Sequence, residues 1–177
     1  MKLFLVIAVA TLSTNVLSAQ EKGDMAVGGN LSMGTGNGVT NFGIGAKYQY
    51  NVTDPIRLEG SFNYFLKKNY TTLWDLTAYG HWLFPVAQKV TVYPVVGLGI
   101  VGASSKYKLE GVPNGYGQYV NVDGGTSSSS NTEFGFTFGG GVDYQLTDRL
   151  TGNAELKYKI AGLWDRFMFS VGVNYRF

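Results

Sequence analysis

Beyond residue 24 the chain alternates apolar and polar residues with a period of two almost throughout, the periodicity of β-strands. Eight such segments are predicted, at 25–34, 40–52, 56–67, 72–84, 90–103, 133–146, 150–160 and 166–177. One parity of each is apolar. In the second it is Phe42, Ile44, Ala46, Tyr48, Tyr50 and Val52; in the eighth it is Phe167, Phe169, Val171, Val173, Tyr175 and Phe177. The first and seventh segments follow the pattern more weakly. The fifth is apolar on both parities in its middle, so periodicity leaves its facing open.

The charges decide what the alternation means. No Lys, Arg, Asp or Glu falls on an apolar parity inside these segments. Lys47, Arg57, Glu59, Asp75, Asp143, Glu155, Lys157, Lys159, Arg166 and Arg176 all fall on the polar parity. Lipid would enforce such a rule, since a Lys or Arg facing the bilayer midplane costs about 2–4 kcal/mol. A soluble lipocalin-type barrel also alternates, with its apolar face inside. Three features favour the lipid-facing arrangement. The polar parity is rich in Gly, which suits a crowded interior. Aromatic residues gather near both ends of the apolar parity: Tyr48, Tyr50, Trp82, Phe84, Tyr144 and Tyr175 at one end, Phe42, Tyr64, Trp74, Phe134 and Phe167 at the other, as at two bilayer interfaces. Charged residues make up only 15% of the chain, too few to cover a soluble exterior. The fold expected is an all-β, eight-stranded antiparallel up-and-down transmembrane β-barrel. Short turns at 52–55, 85–89 and 146–149 would lie on one side, with loops at 35–39, 67–71, 104–132 and 161–165 on the other.

Composition narrows the remaining choices. The 177 residues include 25 Gly and no Cys, which excludes disulfides and cysteine redox or zinc chemistry. A formal charge of +2 gives no argument for nucleic acid. Residues 1–19 carry Lys2, an apolar run from Leu3 and the small-residue site Leu17-Ser18-Ala19, so they read as a signal peptide cleaved between Ala19 and Gln20. The barrel domain would then be 20–177.

Over that span the sequence resembles the small outer-membrane barrels of Gram-negative bacteria, the OmpA/OmpX-like eight-stranded type, in a Gly- and aromatic-rich style similar to porin-family barrels of Bacteroidetes. The most specific element is the last segment, where Phe169, Val171, Val173, Tyr175 and Phe177 resemble the C-terminal signal that the family's barrel-assembly machinery reads. The resemblance implies a monomer in the outer membrane, in contact with lipid and lipopolysaccharide. No peptidoglycan-binding domain is expected beyond Phe177, so a tethering role is not carried over from the resemblance.

Three kinds of chemistry are open to such a barrel. A lumen lined by Lys47, Arg57, Glu59, Asp75, His81, Asp143, Glu155 and Lys157 is expected to pair its charges into a plug, since unpaired buried charges are costly; a narrow channel for ions or small solutes is the alternative, and a secreted soluble ligand-binding barrel a further one. Catalysis is not expected. The single His81 falls on the polar parity, and no Ser or carboxylate completes a triad with it on the lipid face; no metal cluster or cofactor motif is present. The long loop 104–132 is the candidate for a surface protein partner, through Tyr107, Leu109, Tyr116 and Tyr119. Residues 106–112 and 118–122 would continue the flanking strands as a protruding hairpin, with Gly124–Ser130 a flexible polar tract.

Overall fold

The computed structural model describes residues 22–36, 38–68, 71–108 and 126–177. Ala19 and Gln20, and of the loop residues Leu109, Tyr116 and Tyr119, lie outside them. The described chain forms β1 (Met25–Gly36), β2 (Val39–Thr53), β3 (Ile56–Lys68), β4 (Thr71–Trp82), β5 (Phe84–Ala87), β6 (Val90–Lys108), β7 (Thr126–Gln145), β8 (Leu150–Ile160) and β9 (Arg166–Arg176), with one 3-10 turn at Gly162–Trp164. All neighbouring strands are antiparallel, in the order β4-β3-β2-β1-β9-β8-β7-β6-β5, and a β4–β6 pairing closes the sheet.

The barrel is eight-stranded because β4 and β5 are one strand. Their register on β6 runs without a shift from His81↔Val95 to Phe84↔Val92. The interruption at Leu83 stands opposite Tyr93 and Pro94. Proline has no backbone N–H to give to the ladder, which explains the local loss of pairing. The strand therefore continues to Ala87, into the segment expected to be a turn from Pro85.

The faces are inverted relative to a soluble barrel. Leu31, Phe42, Phe134 and Phe167 on the outside are 64%, 63%, 66% and 59% exposed, whereas Asp75 and Lys159 inside are 0% exposed. A soluble ligand-binding barrel is therefore ruled out, because water would have to cover a continuous apolar belt. The aromatic residues expected at the two rims all face outward; Trp74 does so half-buried, packed over Gly102 with the Phe62 ring 6.4 Å away.

The facing of β6 is now fixed. Tyr93, Val95, Val101 and Ala103 point inward, and Val92, Val96 and Leu98 outward. Inward tyrosines are seated on glycines of the next strand. A Cβ on Gly97 would lie 2.3 Å from the Tyr79 ring, and one on Gly141 2.6 Å from the Tyr93 ring. Glycine there is a steric requirement of the narrow interior rather than a turn signal.

The hairpin beyond the barrel differs from expectation. β6 and β7 stay paired from Val90↔Tyr144 up to Lys108↔Thr126, with Tyr107↔Ser127. The serine tract from Thr126 to Ser130, expected to be flexible, is thus a strand, and it rather than 118–122 partners the upper part of β6. Polar residues carry no facing pattern, so the sequence hid this strand. β8 pairs with β7 only from Ile160↔Phe136, so Thr126–Gly135 extends past its last pair with β8.

Candidate functional site: the charged lumen

The inward parity of each strand delivers its polar side chains to one axis. Among the described residues the buried charges are five cations, Lys47, Arg57, Lys157, Lys159 and Arg166, and four carboxylates, Glu59, Asp75, Asp143 and Glu155, with His81 beside them. They are organised in tiers.

The tier nearest the chain termini centres on Arg57. Its Nη1 donates to Asp143 Oδ2 at 2.6 Å, and its Nε donates to His81 Nδ1 at 3.0 Å. Arg57 also lies over the Tyr93 ring, 4.7 Å from the centroid. The Tyr93 hydroxyl is 3.1 Å from both Asp143 Oδ1 and Glu155 Oε1. In the next tier Glu155 Oε2 receives Lys157 Nζ at 2.6 Å and Ser170 Oγ at 3.2 Å, with Lys47 Nζ at 3.4 Å. Lys47 is also 3.8 Å from Glu59 and donates to Asn153 Oδ1 at 3.1 Å; Gln49 donates to Glu59 at 2.6 Å. Toward the loop end Asp75 sits between Lys159 at 3.6 Å and Arg166 at 3.4 Å, and accepts from Asn63 at 3.2 Å. Lys159 donates to Thr77 at 2.7 Å.

The eight residues expected to line the lumen are thus all buried, and they meet in two groups. Arg57, His81, Asp143, Glu155, Lys157, Lys47 and Glu59 form a connected set; Asp75 stands apart with Lys159 and Arg166. Lys159, Arg166 and Tyr93 complete the tiers. The first two were visible as charges on the polar parity, but Tyr93 lay on the strand whose facing the pattern left open. At the mouth between the termini, Arg176 pairs with Asp24 at 3.0 Å, and a cavity is lined by Gln49, Asn51, Arg57, Thr151 and Asn174 among others.

Glu59, His81 and Glu155 bring one ligand-type atom each within 4.8 Å of one another. Their chemistry does not suit a metal ion. Arg57 can only donate, so His81 Nδ1 accepts and a neutral ring carries its proton on Nε2. A metal on Nε2 would need that proton removed, and both carboxylates already have lysine partners. Among the described residues of the lumen, Glu59, Asp75, Asp143 and Glu155 are each within ion-pair distance of a Lys or Arg.

The C-terminal residues Phe169, Val171, Val173, Tyr175 and Phe177 face outward on β9 and just past it, and the Phe177 N–H donates to the Met25 carbonyl at 3.1 Å. Tyr107 lies in β6 within the protruding hairpin.

Comparison with solved structures places this architecture among known proteins. The attachment invasion locus protein Ail of Yersinia pestis is 18% identical with a TM-score of 0.57, over 88% of this chain and 99% of that one. Neisserial surface protein A is 16% identical with a TM-score of 0.63, over 87% and 96%. OprG of Pseudomonas aeruginosa is 13% identical with a TM-score of 0.60, over 92% and 99%. At these identities the likeness is one of fold. No curated protein sequence gives a significant match. The family described as "Outer membrane protein beta-barrel domain" matches residues 4–177. With the apolar belt outside, the charges inside and a family match spanning every strand, the chain belongs to the outer membrane protein β-barrel family and resides in the outer membrane of Gram-negative bacteria.

Proposed function

We propose that the protein is a non-catalytic surface-interaction barrel whose recognition element is the β6–β7 hairpin. The observation that carries this reading is the overhang of β7. Its Thr126–Gly135 stretch is paired with β6 on one side and extends beyond the last β8 pair on the other. Such a strand edge offers backbone donors and acceptors to an extended segment of a partner protein. Exposed edges are commonly blunted by Lys or Pro; 126–132 contains neither. The ion pairs that tie the strands together across the lumen support a structural role for the barrel. Leu109, Tyr116 and Tyr119 belong to the segment joining the two hairpin strands, and with Tyr107 they are the side chains proposed to give specificity.

The same reading includes export by residues 1–19 with cleavage between Ala19 and Gln20, insertion by the barrel-assembly machinery through Phe169, Val171, Val173, Tyr175 and Phe177, and function as a monomer in lipid and lipopolysaccharide. The test is deletion of 106–130 with heat-modifiable gel mobility as the folding control. Loss of cell-surface adhesion from a folded barrel is the expected result. Unchanged adhesion removes the hairpin from the function, and a large steady conductance of the intact protein in planar bilayers favours a channel instead.

A further inference from the structure

The two ends of the lumen differ in chemistry. At the loop end Phe65, Leu73, Ala103 and Met168 form a buried apolar cluster, with Trp164 packed against it. Phe65 comes from β3 but lies over Gly43 of β2 and Gly34 of β1; a Cβ on these would approach its ring to 2.9 and 3.3 Å. The Arg166 guanidinium stacks beneath it, 4.6 Å from the ring centroid. The cluster's side chains thus come from β3, β4, β6 and β9, with Phe65 reaching over the glycines of β2 and β1. At the other end the opening is polar, lined by Asn51, Thr151, Asn174 and the Arg176–Asp24 pair.

Between the two lie buried polar atoms that make no hydrogen bond within the protein. Glu59 Oε1, His81 Nε2, Asn153 Nδ2, Asn30 Oδ1, Tyr79 Oη and Thr137 Oγ1 are all of this kind, and Asn51 Nδ2 and both amide atoms of Asn174 continue the series to the mouth. Native interiors rarely leave such atoms unsatisfied; buried water normally serves them where the surroundings are polar. An apolar constriction has the opposite property, because it dewets and holds back ions without any charge.

We infer that the permeability barrier of this barrel is the apolar seal of Phe65, Leu73, Ala103 and Met168 at the loop end, and that the charged interior below it is a dead-end vestibule, hydrated from the mouth between the chain termini. The ion pairs then hold the lumen together but do not close it. The inference is independent of whether the hairpin binds a partner. It assigns access from the periplasmic side, where the termini and short turns of such barrels lie.

The absence of cysteine from the chain makes a direct test available. Ser170→Cys, Ser61→Cys and Ala103→Cys are introduced singly, and folding is checked by heat-modifiable mobility. The purified barrel is reconstituted in one orientation into liposomes that hold no other pore, and a small charged thiol reagent is applied on the loop side or, separately, on the termini side. Ser170→Cys and Ser61→Cys should react only from the termini side, and Ala103→Cys from neither. Adding Phe65→Ala should make Ser170→Cys reactive from the loop side and give the reconstituted barrel a measurable ion conductance. Reaction of Ser170→Cys from the loop side with Phe65 present overturns the seal. Failure of both serine positions to react from either side overturns the hydrated vestibule. A folded Phe65→Ala, Met168→Ala barrel that stays closed, or a Glu59→Gln or Asp143→Asn barrel that opens with the seal intact, moves the barrier to the ion pairs and defeats the proposal.

Discussion

The imidazole of His81 and the phenol of Tyr93 stack with centroids 4.8 Å apart and planes 15° from parallel. The pair joins two strands that close the barrel, β4 and β6, and sets the Tyr93 hydroxyl between two carboxylates. A phenol has one proton, so it donates to Asp143 or to Glu155 at any instant, while Arg57 pairs with the first carboxylate and Lys157 with the second. Tyr93→Phe keeps the stack and removes the donor. It should destabilise the barrel by about 1.5–3 kcal/mol, the scale of a hydrogen bond to a charged group. Urea unfolding in detergent micelles or lipid, followed by tryptophan fluorescence, measures it.

Buried and exposed ion pairs should separate sharply. Asp75→Asn leaves Lys159 and Arg166 without their carboxylate in the bore and should cost about 3–5 kcal/mol. Asp24→Asn, whose pair with Arg176 is 29% and 30% exposed, should cost less than about 1 kcal/mol, and less still in high salt. The same unfolding experiment at two salt concentrations distinguishes them.

Glycines under the inward tyrosines should resist even one added carbon. Gly141→Ala places a methyl 2.6 Å from the Tyr93 ring and should cost about 1–3 kcal/mol through overpacking. Gly60→Ala, where nothing lies within 4 Å, should stay within about 0.5 kcal/mol of the parent. The temperature at which gel mobility shifts on heating gives the ranking.

On the outer face, Leu98→Lys should cost about 2–4 kcal/mol in a bilayer, because Leu98 stands midway along the paired length of β6 and is 53% exposed. The loss should shrink in detergent micelles, which deform around the charge. An equal loss in both media would mean that packing, not lipid, sets the cost.

Pro94→Ala supplies the backbone donor missing opposite the β4–β5 break. Residue 94 should gain an amide that exchanges slowly with solvent, and stability should stay level or rise by about 1 kcal/mol. Hydrogen-exchange NMR of the refolded barrel reads the new amide; rapid exchange at residue 94 would detach the break from the proline.

Strand number, facing and the burial of the charges were legible because lipid and a narrow bore impose one rule on every strand. Lys47, Arg57 and Glu155 can be placed inside from parity alone. Their partners cannot. Arg57 reaches Asp143 across the bore, far outside any hairpin register, and such pairs follow from the barrel's closure rather than from local pattern. β6 escaped the rule for a related reason. Tyr93 and Val95 fill a lumen cluster with Tyr79 and Leu83, so both faces of the strand are apolar. The serine strand Thr126–Ser130 was illegible because its residues have neither a lipid face nor a core face to declare.

The pairing of β1 with β9, from Ala26↔Arg176 to Thr35↔Phe167, has a kinetic consequence. Every other junction between neighbouring barrel strands is a local hairpin, but this one joins the first strand to the last. Bringing such distant segments together is entropically slow and offers nothing until the final strand arrives. Before that moment the sheet has two open edges, the condition in which chains aggregate. Closure of the barrel therefore waits on the seating of β9 beside β1.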